Sequence, residues 1–392
     1  MVVIVSEHRK ALSVRGGLFS GRLIALDGLR GIAALVVVFH HIYQIARPFI
    51  EPTVHAWVPG SFWWFISATP IKLLSAGSEA VLVFFVLSGV VVPLPLLANG
   101  VKGARAWLGF FCARLVRLYL PVWASLVFAG ILIAVTPHPA SSVTEGSWVE
   151  RTNGTKASLG LLFSEAGLLR KSFSSNSVLW SLTWEVIFSL ALPVFLLLAV
   201  LLRRFWLPTA IVCVALTFVG KVTDIDALLY LPVFFLGTLI AVNLETLRSW
   251  AGRQRASRGG LGWVVLGASL LAIVTSWMLR PVIPAGTLAS DALGCLTPVG
   301  AAGLVLCAIA FRPARSALSA RAPRWLGKVS FSLYLTHLPI LVALVYLFGD
   351  RNWGLVALAG IPISLMVAWL FNRFVEAPSH RLAKRIGSLV SA

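Results

Sequence analysis

Apolar residues run in long blocks along the whole chain, separated by short polar stretches that often carry Gly or Pro. Many blocks reach roughly 18 residues or more, enough to cross the hydrocarbon core of a bilayer. The pattern predicts ten membrane spans, at approximately 27–47, 79–98, 115–136, 178–202, 205–220, 227–243, 261–279, 288–311, 329–348 and 353–374. Those at 205–220 and 227–243 are short, which suits an oddly tilted or kinked pair. Two further apolar stretches do not read as spans. "FWWFISA" at 62–68 has the aromatics of a membrane interface, and 157–170, broken by Glu165, reads as a surface or re-entrant piece. The expected fold is all-α: a polytopic membrane protein.

Composition strengthens this picture. Of 392 residues, 58% are hydrophobic and 12% charged, with a mean hydropathy of +0.90. A soluble domain is about 45–50% apolar and about 25% charged. The net charge of +19 does not require nucleic acid, because basic residues in short loops also anchor membrane helices. With the N-terminus in the cytoplasm, nine of the 33 Lys and Arg fall outside (Arg47, Lys72, Arg151, Lys156, Arg170, Lys171, Lys221, Arg280 and Arg351) and the other 24 inside. That asymmetry predicts an even number of spans, cytoplasmic N- and C-termini and a multi-pass place in the cytoplasmic (inner) membrane. The expected organisation is a cytoplasmic segment 1–21, a membrane domain 22–385 and a tail 386–392. "MVVIV", followed by Glu7, His8, Arg9 and Lys10, does not read as a cleavable signal peptide. The longest outside segment, about 137–177, is long enough to cover a site, and its "NGT" at 153–155 fits a glycosylation sequon. Cys112, Cys213, Cys295 and Cys307 lack metal-ligand spacing and read as packing residues.

Ionisable groups inside the apolar blocks are the candidates for chemistry, since such groups face a polar cavity or a partner. In "LDGLRGIAALVVVFHH" the eleven-residue step from Arg30 to His41 brings both within about 20° of one helix face, about 16 Å apart along the axis. Asp27 lies about 40° to the other side of that stripe, whereas His40 points about 80° from Arg30. In "EAVLVFFVLSGVVVPLPLL" the pair Ser88-Gly89 suits close packing, the favoured reading, or a broken helix lining a cavity. In "FFCARLVRLYLP", Arg114 and Arg117 share a face, as an inner anchor or as a phosphate-binding pair. "WSLTWE" places Glu185 inside an apolar run, so a polar partner is expected. "SLYLTHLP" sets Tyr334 beside His337, and "VEAP" closes the last span before a basic amphipathic tail, read as a membrane-surface helix. No Walker loop, GxSxG, HExxH or paired CxxC occurs, and the scattered histidines argue against a metal site.

In order along the chain, "LDGLRGIAALVVVFHH", "FFVLSG", "RLVRLYLP", "WSLTWE", "SLYLTHLP" and "VEAP" resemble the acyltransferase 3 family of integral membrane proteins, over about 22–385. The family's Arg-x10-His pattern falls on Arg30 and His41, and its Arg-x-x-Arg pattern on Arg114 and Arg117. The departures are mild: no aromatic follows Gly89, and Phe331 stands where Tyr is common. The esterase-like domain fused to some members does not follow the tenth span.

The resemblance implies transfer of an acyl group, often acetyl, from acyl-CoA to a hydroxyl. The acceptors it suggests are polysaccharides, other glycoconjugates or macrolides. It implies no bound cofactor beyond the acyl-CoA substrate, no metal and no nucleic acid, and partners that are acyl-CoA, the acceptor and the lipid bilayer. Arg114 and Arg117, with Arg30, would hold the donor's phosphates. His41 would be the general base or would itself carry the acyl group, with Asp27 or Glu185 orienting it. Ser88, Tyr334 and His337 would support the site. A transporter is the competing class, but the two halves show no matching pair of broken helices. Acceptor identity, acyl length and oligomeric state are not written in the sequence.

Overall fold

The structure, a computed structural model, describes residues 16–51, 57–100, 103–156, 158–169, 173–247, 249 and 260–391. Most of the segment 1–21 and the basic residues Lys102, Arg170, Lys171, Arg248, Arg253, Arg255 and Arg258, used above for orientation, lie outside the described residues. Among the described residues every regular element is helical. The principal helices are α1 (Gly16–Ile50), α2 (Gly77–Val91), α3 (Gly103–Val135), α4 (Trp180–Leu201), α5 (Trp206–Val222), α6 (Asp226–Val242), α7 (Leu261–Met278), α8 (Leu296–Ala310), α9 (Arg321–Phe348), α10 (Trp353–Phe371) and α11 (Ala377–Ser391).

Nine helices among the described residues are long and apolar enough to cross a membrane, and they fall on nine of the ten predicted spans. The other prediction, 227–243, is α6, whose 17 residues stand alone, whereas α2, α5 and α8 reach crossing length together with the short helices that adjoin them, as Gly77–Ala98, Arg203–Val222 and Leu288–Ala310. Two boundaries also differ from expectation. Helix α1 has 35 residues and starts at Gly16, so Asp27 and Arg30 lie inside it and not at its front edge. "VEAP" does not end the last helix. Asn372–Glu376 form one π-helical turn, and the chain continues as α11. The single wide turn absorbs the irregularity, and Pro378 sits in the first turn of α11, where its missing N–H is not needed.

The chain divides into two compact units, with α1, α4 and α9 contributing to both. The first comprises the described parts of Met1–Ala33, Ile66–Lys102 and Phe188–Gly327. Its centre is the crossing of α2 and α6. A methyl group built on Gly89 would lie 2.9 Å from the Cα of Gly237, so only glycine permits this approach. Phe234 stacks on Phe85 at 4.4 Å and on Phe188 at 4.6 Å between ring centroids, filling the space beside the crossing. Ser88-Gly89 therefore packs; α2 runs through it unbroken to Val91.

The second unit comprises Ala34–Phe65, Gly103–Ile187 and Lys328–Ala392, again in their described parts. Its core gathers Leu118, Val122 and Leu126 of α3 with Leu168, Phe173 and Leu335. Leu168 and Phe173 come from the segment after α3, which folds back along the helix. Its short helix Leu159–Ala166 lies along α3, and the Tyr119 hydroxyl donates to the Gly167 carbonyl at 3.0 Å. Trp123 Nε1 donates to the Ala166 carbonyl at 3.1 Å. Tyr119 is 16 residues before the end of α3, about 24 Å along its axis. The segment thus lies beside the middle of α3. Buried backbone there must find its partners in the protein. Buried Glu165 is one, accepting the N–H of Ser174 at 2.6 Å and of Ser175 at 3.2 Å. Leu168, at a left-handed φ of 56°, makes the turn between helix and loop.

The first turns of α4, with Trp180, Ser181, Trp184 and Glu185, begin beside Leu118 and Val122 of α3. The sequon is closed. The buried Asn153 amide donates to the Val149 carbonyl at 3.3 Å and to Thr152 Oγ1 at 2.9 Å.

Candidate active site

Within the second unit, α1 and α9 each bring one histidine to the same place. His41 Nδ1 and His337 Nε2 are 2.9 Å apart, and both side chains are buried. His337 Nδ1 lies 2.8 Å from the Leu333 carbonyl, one turn back on its own helix. The His41 ring is tilted against Trp148 at 5.2 Å between centroids, while the His40 ring meets it edge-on at 5.4 Å. Trp148 begins a short helix, Trp148–Thr152, whose preceding Ser147 accepts the Glu150 N–H at 3.4 Å.

One turn from His337, the Tyr334 ring lies 6.2 Å away, so the phenol stands beside the imidazole as expected. Its hydroxyl is held by the entry to α4, 3.0 Å from the Val178 carbonyl and 2.7 Å from Ser181 Oγ. Asn176 Nδ2 donates to the Leu335 carbonyl at 2.8 Å, tying the loop before α4 to α9 beside the pair.

A second polar group joins α3, α4 and α11. Arg114 forms a hydrogen-bonded ion pair with Glu185, their side chains 11% and 12% exposed. Burying either charge without the other would be costly, so the pair is the partner that "WSLTWE" called for. Arg117 is exposed, and its Nε donates to His380 Nε2 at 3.0 Å. His380 lies 3.8 Å from Glu376 Oε1. The other oxygen of Glu376 accepts Ser332 Oγ at 2.5 Å and Asn372 Nδ2 at 3.0 Å. The basic tail is therefore a packed element: α11 lies against α3 where Gly387 meets Ala113, with Arg381, Lys384 and Arg385 exposed.

The expected site residues are sorted by this geometry. Asp27 pairs with Arg30 at 3.7 Å in the first unit, and Glu185 pairs with Arg114 in the second. The group at hydrogen-bond distance from His41 is His337. Ser88 belongs to the glycine crossing of the first unit. Trp148, His380 and Ser332 were not singled out, and Glu376 only as part of "VEAP". For Trp148 the sequence carries no signal, because a loop aromatic shows no periodicity. For His337 a signal existed: two histidines in separate apolar spans each need a polar partner, and each can serve the other. Outside the spans, burial lowers the pKa of His138, whose ring meets Tyr346 edge-on at 4.4 Å. Among the described residues no cluster of His, Cys, Asp or Glu has the arrangement to hold a metal ion.

A multi-pass helical membrane protein with a buried histidine pair and a buried ion pair in one unit is the class these features define. The acyltransferase domain family matches residues 23–373, and the chain belongs to this acyltransferase 3 family. O-acetyltransferase PaAT-1 of Phomopsis amygdali is 28% identical over 88% of this chain and 79% of its own length. Acyltransferase MdmB of Streptomyces mycarofaciens is 26% identical over 93% of each chain. No solved structure matches the chain.

Proposed function

We propose that this membrane O-acyltransferase moves an acyl group, acetyl foremost, from cytoplasmic acyl-CoA to a hydroxyl of a carbohydrate or glycoconjugate. The observation that carries the reading is His41, buried in an apolar unit and hydrogen-bonded to a second imidazole. In the general-base route His41 takes the proton of the acceptor hydroxyl. The oxygen attacks the thioester carbonyl, the C–S bond breaks, and the thiolate takes the proton to leave as CoA. In the covalent route the imidazole attacks first, releasing CoA, and the acceptor oxygen then displaces it from the acyl carbon. Arg114 and Arg117 serve the donor's phosphates: Arg114 is anchored by Glu185, and Arg117 is exposed to solvent, where an anion can reach it. The family's O-acetyltransferase relative supports acetyl and oxygen as donor group and acceptor atom. Ten spans with both termini cytoplasmic in the inner membrane fit the charge asymmetry, with the short α6 as the tenth.

The test is acyl transfer from radiolabelled acetyl-CoA by membranes containing the protein, with glycan and macrolide acceptors in parallel. His41→Ala should lose roughly 10²–10⁴-fold in rate while still inserting, and His40→Ala should keep at least partial activity. Full activity in His41→Ala would reject the assignment. Labelling of the macrolide alone would replace the glycan as acceptor.

A further inference from the structure

We propose that His337 is a positioning residue that holds His41 in the tautomer protonated on Nδ1, which makes Nε2 the working nitrogen. This rests on the reading of His41 as base or acyl carrier. The argument starts at a backbone atom. The Leu333 carbonyl only accepts, so His337 Nδ1, 2.8 Å away, carries the hydrogen. A neutral imidazole has one N–H, which leaves His337 Nε2 as an acceptor. His41 Nδ1 lies 2.9 Å from that acceptor and must donate. The lone pair of His41 is then on Nε2, the nitrogen farther from the backbone.

The surroundings favour neutral rings. Both histidines are buried, and the carboxylates Asp27 and Glu185 are paired with arginines. A neutral acceptor orients His41 without placing another charge in an apolar interior, where an orienting carboxylate would be costly to bury. Turning the His41 ring over would exchange Nδ1 for a carbon and break the bond. Trp148 on one side and His40 at the edge pack against the ring in the orientation observed.

The test has a spectroscopic arm and a kinetic arm, both on the full chain in nanodiscs. With ¹⁵N-labelled histidine, and with His41→Ala for assignment, His41 should show a protonated Nδ1 and an unprotonated Nε2. A proton on Nε2 instead overturns the proposal. In the kinetic arm, His337→Phe keeps bulk without an acceptor, and His337→Gln returns a neutral carbonyl acceptor. His337→Phe should lower kcat at least tenfold with the KM for acetyl-CoA unchanged, and His337→Gln should recover most of the loss. Wild-type kcat in His337→Phe, or a His337→Gln variant as slow as His337→Phe, overturns it. The spectroscopic arm needs no activity, so it still decides the tautomer if His41→Ala proves active and the functional reading falls.

Discussion

In the first unit α2 and α6 meet backbone to backbone at Gly89 and Gly237, with aromatic rings filling the flanks. In the second unit the contacts around α9 are made by polar side chains: Ser332 on Glu376, Asn176 on the Leu335 carbonyl, Tyr334 on the Val178 carbonyl, and His41 on His337. Both solve the same problem. Lipid tails are as apolar as leucine, so helices in a bilayer associate through close packing or through hydrogen bonds. A glycine crossing needs no polar atom and leaves nothing able to react. A hydrogen-bonded crossing keeps polar atoms at fixed positions in a dry interior, which is what a buried base requires. The second unit is not purely polar, since α11 meets α3 at Gly387. The contrast lies in what surrounds the candidate site.

The largest way to break this contrast is at the ion pair. Glu185→Leu leaves the Arg114 cation without its buried partner and should cost about 3–5 kcal/mol. The readout is a lower melting temperature in detergent. The double change Arg114→Met with Glu185→Leu should restore most of that stability while donor affinity stays impaired. A single variant that melts with wild type would mean that the polar contacts of the second unit do not hold it together. Next in size is the glycine crossing. Gly237→Ala puts a methyl group 2.8 Å from the Cα of Gly89, and overpacking of this kind costs about 1–3 kcal/mol. An unchanged melting curve would show that the helices of the first unit do not depend on close approach. The smallest effect is expected at Ser332→Ala, which removes one hydrogen bond to Glu376. Interhelical hydrogen bonds in membranes average about 0.6 kcal/mol and reach about 1.7. A loss well above that range would make Ser332 part of a larger cooperative network with Asn372 and His380.

Much of the fold was legible in advance because burial in lipid demands long, uninterrupted apolar helices. That demand writes itself into residue order, and nine predicted spans fall on helices long enough to cross. Pro378 after Glu376 reads as the end of the last span, yet one π-helical turn lets the helix continue. Ser88-Gly89 reads first as close packing, and the backbone of α6 meets it there. The loop before α4 lies along α3, where Glu165 satisfies its N–H groups.

The candidate site was legible as a set of residue types, and less so as a set of partners. Helical spacing separated His41 from His40, and most ionisable groups in apolar runs were marked, Asp291 in the 288–311 span being passed over. Which of them meet was not marked. His41 and His337 are 296 residues apart in the chain, and Arg114 and Glu185 are 71 apart.

The sequence by itself determined the solvent of this protein, its helices, its family and the residues able to do chemistry. Those follow from local composition, from period and from short motifs. Only the tertiary structure brought His41 within hydrogen-bond distance of His337, and Arg114 to Glu185. A hydrogen bond between helices depends on register and depth, and neither is a property of any one stretch of chain.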